Sequence, residues 1–541
     1  MTPRSRLIPK TIALLLVSTN LFPGAALVQA QQSSPEHVDL AVLHAIKTEA
    51  FQHSQVMDHL FYLSEVYGPR VTDSANYRAA GEWAVKRLES YGLKNVHLEK
   101  WGPFGDGWQI KRFSAHLVEP AYAPLIGFPL AWSPSTPGPV TGEAILAPIH
   151  SEADFAKYKG KLKGKIVLIA DPKVVLMHTE VEAKRLTDEE ILARTKVPDP
   201  SRLGGFGPPA RPGAPAPVAP DREAALRLKN ATNKFLHDEG ALVVLNYGTN
   251  GDGGTVFATF GGSQDPKDPV PPPMAAITPE HYNRICRLLA KGITPKLEFD
   301  IKTEYYKDNQ YSFNVVGEIP GTTKADEVVM LGGHFDSWQG GTGATDNGTG
   351  SSVAMEAVRI LTSLHKPMAR TVRIALWGGE EEGLLGSKYY VQEHFAPRDT
   401  MKQTAEYSKL DAYFNDDSGS GRFRGISAGG NDETKAIFEA WIAPIKDLEI
   451  TTVMGGTAAP TLQPGGTDST SFSWIGLPGF GFMQDPLEYG SRTHHSNMDL
   501  YDRVQVGDVM QGSAVEAWFV YNAATRPEML PRLDTPKPLV K

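Results

Sequence analysis

Val328-Val329-Met330-Leu331 runs directly into Gly332-Gly333-His334-Phe335-Asp336, and Val372-Arg373-Ile374-Ala375-Leu376-Trp377 runs into Gly378-Gly379-Glu380-Glu381-Glu382-Gly383. Each begins as a short apolar run rich in β-branched residues, the signature of a buried strand. Between them, Ser351 to Leu364 repeats apolar positions at helical spacing. The alternation continues with a helix from Leu384 to Glu393, a strand from Leu410 to Phe414 and a helix from Asp432 to Ile445 behind Asn431 as N-cap. A strand from Gly479 to Met483 closes the series. Strands alternating with helices predict an α/β fold, a mixed, mostly parallel sheet sandwiched between helices.

Working outward, the ends of these strands are where the polar residues gather. Leu410–Phe414 leads into Asn415-Asp416-Asp417-Ser418-Gly419, and beyond Gly479–Met483 comes Thr493-His494-His495-Ser496-Asn497-Met498-Asp499. Gly343-Ala344-Thr345-Asp346-Asn347-Gly348 stands between the first two strands. In α/β sheets, ligands sit beyond the carboxyl ends of the strands. Four or five carboxylates in one cleft repel each other strongly unless cations lie among them. Imidazoles mixed with carboxylates are a ligand set that zinc accepts.

N-terminal to this region the pattern is less regular. Helical spacing covers 40–66 and 76–91, with the turn Tyr67-Gly68-Pro69-Arg70 between them. Short buried strands are expected at Gly164–Ala170 and Leu242–Asn246, with a helix at 222–239. Pro198 to Pro220 is too rich in Pro and Gly to build a core. Arg4, Arg6 and Lys10, the apolar run Thr11–Val17 and the small-residue site Val28-Gln29-Ala30 form a signal-peptide pattern. The chain is therefore expected to be secreted or periplasmic, and free of the membrane after cleavage.

Of 541 residues, 41% are hydrophobic and 21% charged, with a formal charge of −8, which suits a globular protein. Without a basic run, nucleic acid is excluded as the expected partner. Cys286 is the only cysteine, so no disulfide can form within the chain.

The ordered set HFD, ATDNGTG, GEEEGLLGS, NDDSG and HHSNMD resembles family M28 of co-catalytic zinc exopeptidases, in its plasma glutamate carboxypeptidase branch. Tyr67-Gly68-Pro69-Arg70-Val71-Thr72 resembles that family's N-terminal segment, and Lys161–Ile169 resembles an inserted, mainly-β protease-associated domain. The resemblance implies the zinc exopeptidase fold and this organisation: signal peptide 1–30, first part of the peptidase domain 31–122, insert 123–298 with a Pro/Gly-rich loop at 197–222, catalytic part 299–525, tail 526–541. The tail is expected on the surface.

The resemblance further implies two zinc ions per chain. His334 and Asp417 would bind one, Glu381 and His495 the other, and Asp346 would bridge both. Glu380 would be the general base, and Asp336 would orient His334. The Asp346–Asn347 peptide is expected to be cis. His494 stands where some relatives carry a tyrosine, so it is a candidate donor to the reacting carbonyl. Gly465, Gly466 and Thr467 are candidate substrate contacts. The implied substrates are small peptides, either dipeptides or peptides with a free C-terminal residue, with an aminopeptidase as the alternative; a homodimer is compatible with the resemblance. Two other classes stay open. Gly425-Ile426-Ser427-Ala428-Gly429 matches a serine-hydrolase elbow, with Asp485 and His495 following in order. A catalytically dead receptor would also share the architecture.

Overall fold

Two mixed sheets carry the molecule, and the first of them carries the strands read above. The computed structural model describes residues 36–195, 222–249, 251–307, 310–455 and 466–539. The expected signal peptide lies outside the described residues, as does nearly all of the Pro/Gly-rich loop, since a helix begins at Arg222.

Among the described residues the first sheet has eight strands. Lys324–His334 lies near its middle, parallel to Arg370–Trp377 on one side and to Leu410–Asn415 on the other. Gly479–Gln484 continues the parallel run. Antiparallel pairs appear where Ser312–Ile319 meets Arg370–Trp377 and where Phe423–Ser427 meets Gly479–Gln484. Successive side chains on each strand point to opposite faces. Val329, Leu331, Ile374 and Phe414 thus enter a core with Val353, Phe438 and Trp518, while Met330, Ala375, Trp377 and Tyr413 enter a second core with Tyr390 and Phe472. Helices cover both faces, so the layering is α/β/α. Burying each such Leu, Ile, Val or Phe contributes roughly 1.5–3 kcal/mol, which is why the central strands fix the register of the whole sheet.

The helix Thr349–Ser363 crosses under this sheet with its first thirteen residues buried. Its start fits only because position 350 is glycine. A Cβ there would stand 2.2 Å from the carbonyl oxygen of Asp416. The close approach brings the helix N-terminus against the Asp416-Asp417 strand end. The final helix, Val506–Thr525, was absent from the sequence expectations. It is buried over nearly its whole circumference, so it carries no polar stripe to reveal its period. The expected surface tail is corrected in part. Leu530 is buried and its backbone N–H donates to Asp411 Oδ1 at 2.6 Å, which straps the tail to the sheet.

Among the described residues the second sheet also has eight strands, running from Ala123–Pro124 at one edge to Gly127–Pro129 at the other, with Gly107–Glu119, Lys296–Tyr306 and Met274–Ile277 inside it. Its long antiparallel pair, Gly107–Glu119 with Lys296–Tyr306, lies largely outside the 123–298 span expected for the insert. Val140–Leu146, Ile166–Leu168, Val243–Asn246 and Met274–Ile277 pair in parallel, and the helices Arg222–Asp238 and Pro279–Ala290 accompany them. No helix among the described residues is long and apolar enough to cross a membrane.

Candidate metal centre

The polar side chains at the carboxyl ends of the parallel strands of the first sheet converge. His334 is the last residue of its strand, Glu380 and Glu381 follow the Arg370–Trp377 strand, and Asp417 follows Leu410–Asn415. Asp346 lies just before the N-terminus of the Thr349–Ser363 helix, where the helix dipole favours a negative charge. The Asp346–Asn347 peptide is cis, as expected. His494 and His495 arrive from a turn after Gly479–Gln484.

These side chains form two groups joined at Asp346. His334 Nε2 stands 3.2 Å from Asp346 Oδ1 and 3.3 Å from Asp417 Oδ1. His495 Nε2 stands 3.2 Å from Asp346 Oδ2 and 2.9 Å from Glu381 Oε2. One carboxylate therefore turns one oxygen to each histidine. His334, Asp346 and Asp417 bring donor atoms within cation-binding reach of one another, as do Asp346, His494 and His495, with Glu381 beside His495. Asp346 Oδ2 and Glu381 Oε1 are buried and have no hydrogen-bond partner in the protein. Buried anions left in this condition are costly, and a divalent cation on each side of Asp346 would remove the cost. The donor set and the orphaned oxygens fit zinc.

The proton affinities reflect the same crowding. Burial pushes the Glu380 carboxyl well above its ordinary value, and Asp417 and Glu381 reinforce the shift. Burial likewise raises Glu381 to about 7. His495 is opposed by burial but is held up at about 11 by Glu381 and Asp346. Asp346 is also opposed by burial, yet the two histidines hold it well below the ordinary range.

Asp336 reaches both His334 and the neighbouring turn. His334 Nδ1 bonds the main-chain oxygen of Asp336 at 3.1 Å, whereas the carboxylate is 3.8 Å away. That carboxylate accepts the backbone N–H groups of Glu380 and Glu381, each at 3.2 Å. Residue 336 thus fixes the His334 ring through its backbone and the Glu380-Glu381 turn through its side chain. Such outer contacts orient ligands and set the tautomer.

His494 packs against His495 with ring centroids 3.7 Å apart, and its Nε2 is 3.7 Å from Asp346 Oδ2. Thr467 lies beside the Asp417 strand end, its hydroxyl accepting from Asn415 Nδ2 at 2.7 Å. Gly466 is exposed with φ +107°, and Gly465 lies outside the described residues.

The serine-hydrolase alternative fails on geometry. Ser427 Oγ accepts the N–H of Gly429 at 3.1 Å. Asp485 is engaged by Arg185 and by the Leu186 N–H, and the ring of His495 faces Asp346 and Glu381. No triad assembles from Ser427, Asp485 and His495.

Residues 314–515 match the model of peptidase family M28. The chain carries a peptidase family M28 domain. The span of that domain contains every side chain of the two clusters, and it marks the chain as a metallo-exopeptidase. Outside the M28 domain the likeness continues. The chain is 26% identical to carboxypeptidase Q of Mus musculus over 507 residues, 93% of either chain. In fold it resembles the peptidase M28 precursor from Shewanella amazonensis, with a TM-score of 0.62 at 24% identity over 92% of this chain and 99% of that one. It also resembles the zinc aminopeptidase from Bacillus subtilis, with a TM-score of 0.53 at 18% identity over 87% of this chain and 95% of that one.

Some residues around the M28 centre were not singled out as site residues from the sequence. Asp499 accepts the Thr345 N–H at 2.5 Å and the Thr345 hydroxyl at 2.8 Å, holding the turn that carries Asp346. Asn347 bonds the carbonyl of Asp416 and the N–H of Gly350. Asp468 is fully buried with neither carboxylate oxygen hydrogen-bonded, and the Tyr489 ring lies 4.7 Å from that of His494. A polar residue at each position was visible, but only tertiary contact reveals its partner.

Proposed function

We propose that the protein is a secreted exopeptidase with two zinc ions, hydrolysing dipeptides or releasing the C-terminal residue of short peptides. The observation that carries this reading is the division of the Asp346 carboxylate between His334 and His495. The likeness to carboxypeptidase Q, at 93% coverage of both chains, supports the substrate class. The signal-peptide pattern of residues 1–30 supports export. The fit of Lys161–Ile169 to a protease-associated sequence supports that identity for the second sheet.

His334, Asp417 and Asp346 would hold one zinc, and His495, Glu381 and Asp346 the other. When bound, zinc supplies a Lewis acid for the scissile carbonyl and lowers the pKa of a water to about 7. Glu380 sits among the first group, and its raised proton affinity suits a general base. Its carboxylate takes a proton from the attacking water as the C–O bond forms. It returns that proton to the amine nitrogen as the C–N bond breaks. His494, kept neutral by burial, donates its ring N–H to the carbonyl oxygen as negative charge gathers there. Asp336 holds the Glu380-Glu381 turn still during both transfers.

A panel of free, N-acetylated and C-amidated dipeptides, with and without chelator, tests the reading. A carboxypeptidase or dipeptidase loses substrates blocked at the C-terminus and loses all turnover with chelator. Turnover confined to peptides with a free amino terminus, C-amides included, would assign the aminopeptidase alternative. Turnover that survives complete removal of metal would overturn the proposal.

A further inference from the structure

His495 differs from the other clustered residues in what supports its backbone. His334, Glu381 and Asp417 sit on or beside strand ends of the first sheet. His495 lies in an irregular turn with φ +61°, a left-handed conformation uncommon for a residue with a side chain. The second sheet layer supplies its support. The His495 carbonyl accepts the N–H of Ala258 at 3.3 Å, and Ser496 forms an antiparallel bridge with Phe257. Asn497 completes the seam three times over. Its N–H donates to the Val256 carbonyl at 3.3 Å, its Oδ1 accepts the Val256 N–H at 2.7 Å, and its Nδ2 donates to the Gly254 carbonyl at 3.0 Å.

A second tie comes from the other side of the turn. Arg492 Nη1 donates to the Asp252 carbonyl at 2.9 Å, to Asp252 Oδ1 at 3.2 Å and to the Thr255 hydroxyl at 2.8 Å. Its Nε donates to Glu182 at 2.5 Å. His178 bridges Glu182 and Asp252 from behind, which closes a ring of four charged or polar side chains. Trp338 stands against the His495 ring and packs on Phe260, of the second layer.

We propose that Asn497 and Arg492 are positioning residues that fasten the His495 turn to the 252–258 segment of the second layer, so that this segment holds the His495 half of the metal centre in place. The inference rests on His495 acting as a ligand, as proposed above. Its physical basis is that residues behind a ligand tune how well it binds. Removing the Asn497 amide deletes two side-chain bonds of the seam and frees His495 to leave its left-handed conformation, while nothing on the His334–Asp417 side changes.

The test uses the full chain, stripped of metal by a chelator and titrated with zinc in a calorimeter. The parent takes up zinc in two steps. In Asn497→Ala, one step weakens by about 10- to 100-fold and the other stays in place. Asn497→Asp keeps the acceptor for the Val256 N–H and recovers part of the loss. Arg492→Lys, which keeps the charge but loses the forked contacts, shifts the same step in the same direction. Melting temperatures measured alongside report folding. An Asn497→Ala protein that titrates like the parent, or that loses both steps equally, overturns the positioning role. A parent that takes up no second zinc overturns the two-metal reading itself, and the inference with it.

Discussion

Asp346 faces His495 at 3.2 Å, Oδ2 to Nε2. Its other oxygen is the same distance from His334. A buried carboxylate shared between two histidines in this way suits a cation on either side of it. The functional reading follows from that arrangement.

Asp346 should therefore be the position where one change removes both metals. Asp346→Ala is expected to bind neither zinc with useful affinity, whereas His334→Ala should lose one and retain the other in part. Elemental analysis of the purified variants measures this. Equal, full zinc content in Asp346→Ala would contradict the bridging role.

Glu380→Gln keeps the size of the side chain and removes its basicity. Zinc content and melting temperature are expected to stay near the parent values, and kcat to fall by about 10²- to 10⁴-fold, the usual scale for general acid–base catalysis. Steady-state kinetics on a cleaved dipeptide provides the check. A variant with parental kcat would remove Glu380 from the chemistry.

His494→Phe preserves the ring stacking on His495 and deletes the N–H donor. If His494 stabilises the oxyanion, kcat drops by about 10²- to 10³-fold with a smaller change in KM. Unaltered kcat would make His494 a packing residue.

Much of this centre was legible because its chemistry clusters at strand ends that announce themselves as apolar runs. The Val328–Leu331 and Val372–Trp377 runs gave the sheet away, and His334, Glu380 and Glu381 follow them directly. The role of the Asp336 carboxylate was not legible. Its acceptance of two backbone N–H groups depends on how the neighbouring strand turns after Trp377. Asp499 and Asn497 were equally hidden, since their partners, Thr345 and Val256, are far away in sequence. The Val506–Thr525 helix escaped because burial on all sides erases amphipathic periodicity. The strands Gly107–Glu119 and Lys296–Tyr306 escaped because they lie far apart in sequence, so their pairing is non-local.

Away from the cleft, His394 joins two carboxylates, Glu99 at 3.0 Å and Glu406 at 3.2 Å. Burial opposes its charge, but the two carboxylates win, and its proton affinity lies above the ordinary value of 6.5. The folded state therefore holds this proton more tightly than the unfolded one. The resulting stability is fully present below the ordinary pKa and is lost as pH rises through the raised one. Thermal melts of parent and His394→Gln should differ most below the ordinary histidine pKa of about 6.5 and converge as pH rises above it. A difference that stays constant with pH would refute the charged clamp.

The most direct measurement of the central claim is an anomalous difference map, collected at the zinc edge from crystals of the full chain grown with zinc. The account predicts two peaks on either side of Asp346, one against His334 and Asp417 and the other against His495 and Glu381. A single peak, or density remote from Asp346, would contradict it.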